Sequence, residues 1–164
     1  MHLAGLTGSW LAIQAKPRIE QIAASGLRER GYEVLLPLCG GSNKTLFPGY
    51  LFCRFDASVA VPIVTAPGVV RIVGYGQQPV RISDWEIDTI RAVADSGLPA
   101  VPYRYFRTGQ WVKVRDGPLR GAIGKVVGSG RTRSFVVSVN VLQRAVAVEV
   151  EENWLEPIST ARSD

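Results

Sequence analysis

From residue 107 onward the chain contains no stretch that could be a helix. "QWVKVRD", "GAIGKVVG", "RSFVVSVNVLQ", "AVAVEVEE" and "WLEPI" are short, rich in β-branched residues and separated by turns of glycine or polar residues. β-Branched side chains lose rotamer freedom in a helix and pack well on a pleated surface, so these five runs predict a small all-β five-stranded barrel. Gly128-Ser129-Gly130 predicts a hairpin tip. In "GQWVKVRDGPLRGAIGKVVGSGRTR", Gly117, Gly121 and Gly124 sit among six basic side chains and one acid, Asp116. That pattern admits a phosphate loop, a nucleic-acid clamp or the turns of the barrel. The phosphate loop fails at two required places: Leu119 stands where its first glycine belongs, and Val126 follows Lys125 where Ser or Thr is needed.

The preceding residues are organised differently. "SWLAIQ" reads as a buried strand broken by Lys16-Pro17-Arg18, and a helix follows from Ile19, with Ile22, Ala23 and Leu27 at helical spacing and Gly31 as its C-terminal cap. "YEVLLPL" reads as a strand, "TLFPGYLFCRFD" as two apolar runs around Pro48-Gly49, "ASVAVPIVTAP" as a short helix and "GVVRIVGYG" as a further strand. "SDWEIDTIRAVADSG" is the clearest helix: Ser83 and Glu86 make a capping box, Ile87, Ile90 and Ala94 line one face, and Gly97 closes it. This order suits an antiparallel sheet covered by helices on one side, an α+β sandwich. "GLPAVPYRYFRTG", with two prolines and no period, reads as a linker. Residues 1–98 and 107–164 are therefore expected as two domains joined through 99–106.

The charge is uneven. Residues 104–133 hold eight basic residues against Asp116 alone, whereas the last twenty residues are acidic. A basic stretch supplies phosphate attraction or is simply a solvated face. Cys39 and Cys53 form no C-x-x-C pair and His2 is the only histidine, so a zinc site and a histidine-based nucleophile lack their parts. Both cysteines read as small buried apolar residues. Asp84, Glu86 and Asp88 sit at a helix start, where the macrodipole explains them without catalysis. No cofactor, metal or catalytic residue is expected. The opening residues lack the basic region and cleavage site of a signal peptide, and no run is long enough to span a membrane.

Aromatic residues offer two further readings. Tyr103, Tyr105, Phe106, Trp111 and Phe135 lie among the basic residues, where aromatics can stack on bases. Core filling is the expectation for Trp111 and Phe135, while Tyr103 and Tyr105 stay open. In "FPGYLFCRF", strand alternation puts Tyr50, Phe52 and Arg54 on one face and Leu51, Cys53 and Phe55 on the other. If helices cover a single face, one set is an exposed binding row. If they do not, both sets are core.

"WLAIQAKPR", "EVLLPL", "LFPGYLFCRFD", "APGVVRIVG", "ISDWEIDTI", "VKVRDGPLRGAIGKVV" and "VVSVNVLQRAVAVEV", in that order, resemble bacterial NusG-type transcription elongation factors across about residues 9–158. "LFPGYLF", "GPLRGAIG" and "VNVLQRAVAVEV" are most similar to specialised paralogs of the UpxY and RfaH kind, which act on particular operons. The resemblance implies an N-terminal NGN domain (1–98) linked to a five-stranded, SH3-like KOW barrel (107–164), whose motif is Lys113, Arg115, Gly117, Pro118, Gly121 and Gly124. It implies a cavity that grips the clamp of the largest subunit of RNA polymerase, matched here by Phe47, Tyr50, Phe52 and Tyr75, and so favours Tyr50 and Phe52 as an exposed row. Lys16 matches a position that touches non-template DNA in the RfaH branch, and Arg18 is close. Pro17 and Ile22 replace basic residues there, so weak phosphate contact is expected. "VAVPIVT" replaces a polar segment that meets the opposite pincer, leaving Thr65 or backbone groups to bridge. The implied KOW partners are a small-subunit ribosomal protein or Rho, and the β-branched second domain is expected to stay a barrel without switching to helix.

The expected protein is thus a cytoplasmic, monomeric, non-enzymatic elongation factor and antiterminator. The alternatives are a housekeeping NusG working with Rho and a ribosome-associated KOW protein that binds RNA, nascent RNA included. Alanine at Tyr50 and Phe52 is expected to abolish polymerase association with the fold intact, and alanine at Arg115 and Arg120 to leave it unaltered.

Overall fold

The computed structural model describes residues 8–40, 42–76, 78–103, 109–128 and 130–158. Contacts divide them into two compact units: residues up to Pro37 together with Phe47–Asp84, and Leu38–Leu46 together with Trp85 onward.

The first unit is built on four antiparallel strands, β1 (Ser9–Ala15), β2 (Glu33–Leu35), β3 (Tyr50–Phe55) and β4 (Val69–Ile72), in the order β2-β3-β1-β4. Helix α1 (Glu20–Glu29) follows β1, helix α2 (Val61–Val64) follows β3, and a two-strand hairpin, β5 (Gly74–Tyr75) and β6 (Gln78–Pro79), follows β4. The expected alternation of strands and helices holds throughout this stretch. Register explains the core: Leu11 lies opposite Cys53 and Ile13 opposite Leu51, so these side chains share one face. On that face they form one buried cluster with Phe55, Ala23 and Leu27 of α1, and Ile63 of α2. The end of α1 is closed as expected, because the Gly31 N–H donates to Arg28 and the Tyr32 N–H to Leu27, the paired bonds of a Schellman motif. Its buried stripe is Glu20, Ala23, Ala24 and Leu27. Ile22, expected in that stripe, is 56% exposed.

The second unit contains helix α3 (Asp84–Asp95, from Trp85) and strands β7 (Ala100–Tyr103), β8 (Gln110–Val114), β9 (Ile123–Val127), β10 (Thr132–Val139), β11 (Arg144–Glu151) and β12 (Leu155–Pro157). All five strands expected after residue 107 are present, as β8 to β12. They do not stand alone: the sheet has six strands in the order β12-β8-β9-β10-β11-β7, open among the described residues. The expectation of a five-stranded barrel is corrected by β7, which lies inside the segment read as a linker and pairs with β11 from Ala100 opposite Val148 to Tyr103 opposite Ala145. Pro102 hides the strand from a sequence pattern yet suits it, since an edge strand tolerates a residue without an N–H. Buried residues of α3 are Ile87, Thr89, Ile90 and Val93.

The sheet is apolar on both faces. Phe135 lies opposite Val126 and Val148, and Val112 opposite Gly124, so these fill one face around a fully buried ring. On the other, Val136, Ala145 and Ala147 form a second cluster with Tyr103 and Val127. Phe135 fills the core as expected. Trp111 does not: it lies opposite Lys125, which lies opposite Val136, so it occupies the second face and is half-buried. Tyr105 and Phe106 lie outside the described residues, as does Ser129 of the expected hairpin tip.

Candidate functional site

The F-P-G-Y segment is a tight turn with a purpose-built anchor. The Tyr50 N–H donates to the Phe47 carbonyl at 3.0 Å, with Pro48 and Gly49 in the central positions that a type II β-turn favours. Glu20, buried on α1, accepts a hydrogen bond from the Gly49 N–H at 3.0 Å. The Gly49 carbonyl in turn accepts from the Ala15 N–H at 2.9 Å. Helix, strand and turn are thereby joined through one residue.

The turn delivers Tyr50 to the sheet face opposite the one that α1 and α2 pack on. There it lies across from Gln14, which lies across from Arg71, and the Arg71 guanidinium donates to the Gln14 side chain at 2.8 Å. Tyr50 and Gln14 are half-buried and Arg71 is exposed, making a polar row with an aromatic end. Tyr75, on the β5–β6 hairpin, is 60% exposed. The other two aromatic candidates differ. Phe52 is fully buried and Phe47 nearly so, their rings meeting edge-on with centroids 6.0 Å apart. The expected exposed pair of Tyr50 and Phe52 is therefore corrected, because Phe52 sits mid-sheet between Ala12 and Leu35 and the turn folds Phe47 back onto it. Alanine at Phe52 would cost about 3–5 kcal/mol of stability, so the expectation of an intact fold for that variant is also corrected. Gln14 and Arg71 were not among the sequence candidates.

Lys16 and Arg18 are both exposed on the loop between β1 and α1, and Arg18 has a left-handed backbone, φ +70. The Thr65 hydroxyl donates to the Val61 carbonyl at 2.7 Å and accepts from Arg30 at 3.0 Å, so it is engaged within its own unit. Burial, with the charge of Glu33 adding to it, pushes the Cys53 thiol up to about 12. Cys39 is half-buried.

In the second unit, Lys113, Arg115 and Pro118 are exposed around the turn from β8 to β9. The glycines there serve as turn and close-approach positions. Gly117 has φ +82, and a Cβ on it would lie 2.9 Å from the Trp154 ring. A Cβ on Gly124 would lie 2.7 Å from the Phe135 ring. The Gly121 N–H donates to the Val114 carbonyl at 2.7 Å, closing the turn. None of the described residues forms a cluster of three or more potential metal ligands, and no helix among them is long and apolar enough to cross a membrane.

A protein-family model described as "Transcription termination factor nusG" matches residues 8–91, which include Tyr50, Tyr75 and the whole first unit's sheet. The chain is 32% identical to the transcription termination/antitermination protein NusG of Thermus thermophilus, over 84% of this chain and 88% of that one. It is 24% identical to the protein of the same name from Helicobacter pylori, over 91% and 98%. A solved structure of Thermotoga maritima NusG superimposes with a TM-score of 0.59 at 20% identity, covering 94% of this chain and 99% of that one, a likeness of fold. The sheet and helices of the first unit are consistent with an NGN domain, and the all-β sheet that follows α3 is consistent with a KOW domain. From the match of the family model to residues 8–91, together with 32% identity to the Thermus thermophilus protein over most of both chains, it follows that this protein belongs to the NusG family of transcription termination and antitermination factors.

Proposed function

We propose that this chain is an elongation factor whose NGN domain (1–98) grips the clamp of the largest subunit of RNA polymerase, suppresses pausing and acts as an antiterminator on particular operons. The observation that carries this is the placement of Tyr50. It projects from an anchored turn onto a sheet face that α1 and α2 leave, beside Gln14 and Arg71, within the segment that matches the NusG model. A rigid tyrosine buries large apolar area at small entropic cost, as interface anchors do. Tyr75 adds a second aromatic contact, while Phe47 and Phe52 support the turn from within. Residues 99–106, which include β7, lead from this domain to the KOW domain (107–164), which recruits a small-subunit ribosomal protein or Rho. Lys16 and Arg18 add weak contact to non-template DNA. The factor works in the cytoplasm as a monomer.

Pull-down of core RNA polymerase by the full chain tests the site. Tyr50→Ala and Tyr75→Ala are expected to lose association, whereas the double change Arg115→Ala and Arg120→Ala retains it. Undiminished association in both tyrosine variants overturns the assignment. A second reading, the housekeeping role with Rho, is favoured by the names of the relatives, which are NusG proteins at large. A termination assay with and without Rho separates the two: only the housekeeping factor raises Rho-dependent termination.

A further inference from the structure

Trp111 is a large aromatic side chain on a sheet face that also presents cations. Strand alternation places Lys113 on the same face of β8, and Arg115 continues the row beyond the strand end; Lys125 faces Trp111 from β9. The Lys125 ammonium lies over the Trp111 ring at 5.2 Å from its centre. Both Lys113 and Arg115 are exposed. The step along the row is about 6.7 Å, close to the phosphate-to-phosphate step of an extended single strand. Glu156 lies across from Lys113 and offsets one charge, leaving the row net positive.

One side of Trp111 is covered. Trp85 of α3 meets it edge-on at 5.7 Å. Thr89, one turn further along α3 and buried, donates its hydroxyl to the Ile123 carbonyl at 3.1 Å and accepts from the Ile123 N–H at 3.2 Å. Ile123 sits on β9 two residues from Lys125, so both contacts clasp α3 to the same patch.

We propose that Trp111, Lys113, Arg115 and Lys125 form a platform for single-stranded RNA, with a base stacking on Trp111, phosphates running along the cations, and Trp85 of α3 acting as its removable cover. The choice of RNA rests on membership of a family that acts on transcription, whose single-stranded product is RNA. Aromatic stacking interleaved with cations is the arrangement by which proteins hold single strands without reading sequence.

The test is fluorescence anisotropy of a labelled, mixed-sequence RNA dodecamer with the full chain. Trp111→Ala is expected to weaken binding about fivefold or more. The double change Lys113→Ala and Arg115→Ala is expected to weaken it and to flatten the dependence of log K on log salt by about one to two. Trp85→Ala, which uncovers Trp111, is expected to tighten binding. Should Trp111→Ala fail to fold, the pair Trp111→Phe and Trp111→Leu replaces it: phenylalanine keeps most of the affinity and leucine loses it. Equal affinity in that pair, weaker binding by Trp85→Ala, or tighter binding of the DNA of the same sequence overturns the proposal. Polymerase is absent from this assay, so its failure is distinct from failure of the tyrosine variants above.

Discussion

Removing the Glu20 carboxylate should loosen the turn that carries Tyr50. Glu20 is only 8% exposed and its carboxylate accepts from the Gly49 N–H at 3.0 Å. Glu20→Ala leaves that amide without its acceptor in a part-buried site, which costs about 1.5–3 kcal/mol for a bond to a charged group. The acid also lies in the first turn of α1, where loss of its favourable interaction with the helix dipole costs about 0.3–1 kcal/mol. The higher helix propensity of alanine returns a few tenths of a kcal/mol. The net expectation is a loss of about 2–3 kcal/mol, read as a lowered midpoint of urea denaturation at unchanged slope. Glu20→Gln keeps an oxygen acceptor but not the charge, so about 1 kcal/mol is expected there. In both variants the amide resonances of Gly49 and Tyr50 should move in NMR spectra. A Glu20→Ala protein within about 0.5 kcal/mol of the wild type, with those two resonances unmoved, would refute the reasoning.

Three further outcomes follow from single positions. Cys53 has its thiol raised from an ordinary 9.0 to about 12, so the unfolded chain ionises first: its contribution is full below about pH 9 and is lost by about 1.4 kcal/mol per unit above that. Tyr32, also raised by burial, acts in the same direction. Cys53→Val should flatten the alkaline fall in stability, and at pH 8 a thiol reagent should modify Cys39 while sparing Cys53; equal rates for the two would sink the burial argument. Gly124→Ala drives a methyl to 2.7 Å from the Phe135 ring and 3.0 Å from the Val136 carbonyl, an overpacking cost of about 1–3 kcal/mol by thermal unfolding, partly recovered by Phe135→Leu. Arg18→Gly should relieve a left-handed backbone at φ +70; the conformational gain of about 1–2 kcal/mol exceeds the entropic cost of glycine, so a net gain of about 0.5–1 kcal/mol is expected, and a loss would show that Arg18 is held by contacts.

What could be read from the chain was whatever repeats at short range. β11 places valine at 146, 148 and 150, so it was legible as a strand, and Gly31 stands at the end of a helical period where a left-handed C-terminal cap belongs. Burial that depends on which strands become neighbours was not. Phe52 shares parity with half-buried Tyr50 and Arg54, but its position opposite Ala12 and Leu35 follows from sheet order, which no window of sequence contains. Gln14 and Arg71 were missed for the same reason, lying fifty-seven residues apart. Trp111 is a different case. It shares parity with Lys113 and Arg115, both charged, so its placement on their face is written in the strand alternation, against the general tendency of a large indole to fill a small core. Pro99 and Pro102 obscured β7, since a strand that tolerates proline at an edge has no clean alternation to detect.

The pairing of β7 with β11 also sets how strongly α3 competes for its own patch. With β7 fixed in the sheet, the only chain between it and α3 is Ser96 to Pro99, so Trp85 is presented to Trp111 at a local concentration of millimolar or above. An outside ligand therefore meets an occupied surface rather than a vacant one, and if the clasp is closed ten times as often as open, apparent affinity falls about elevenfold. Anything that frees β7 from β11 would lengthen the tether, dilute that internal competitor and raise affinity for the ligand with no change in the residues that touch it.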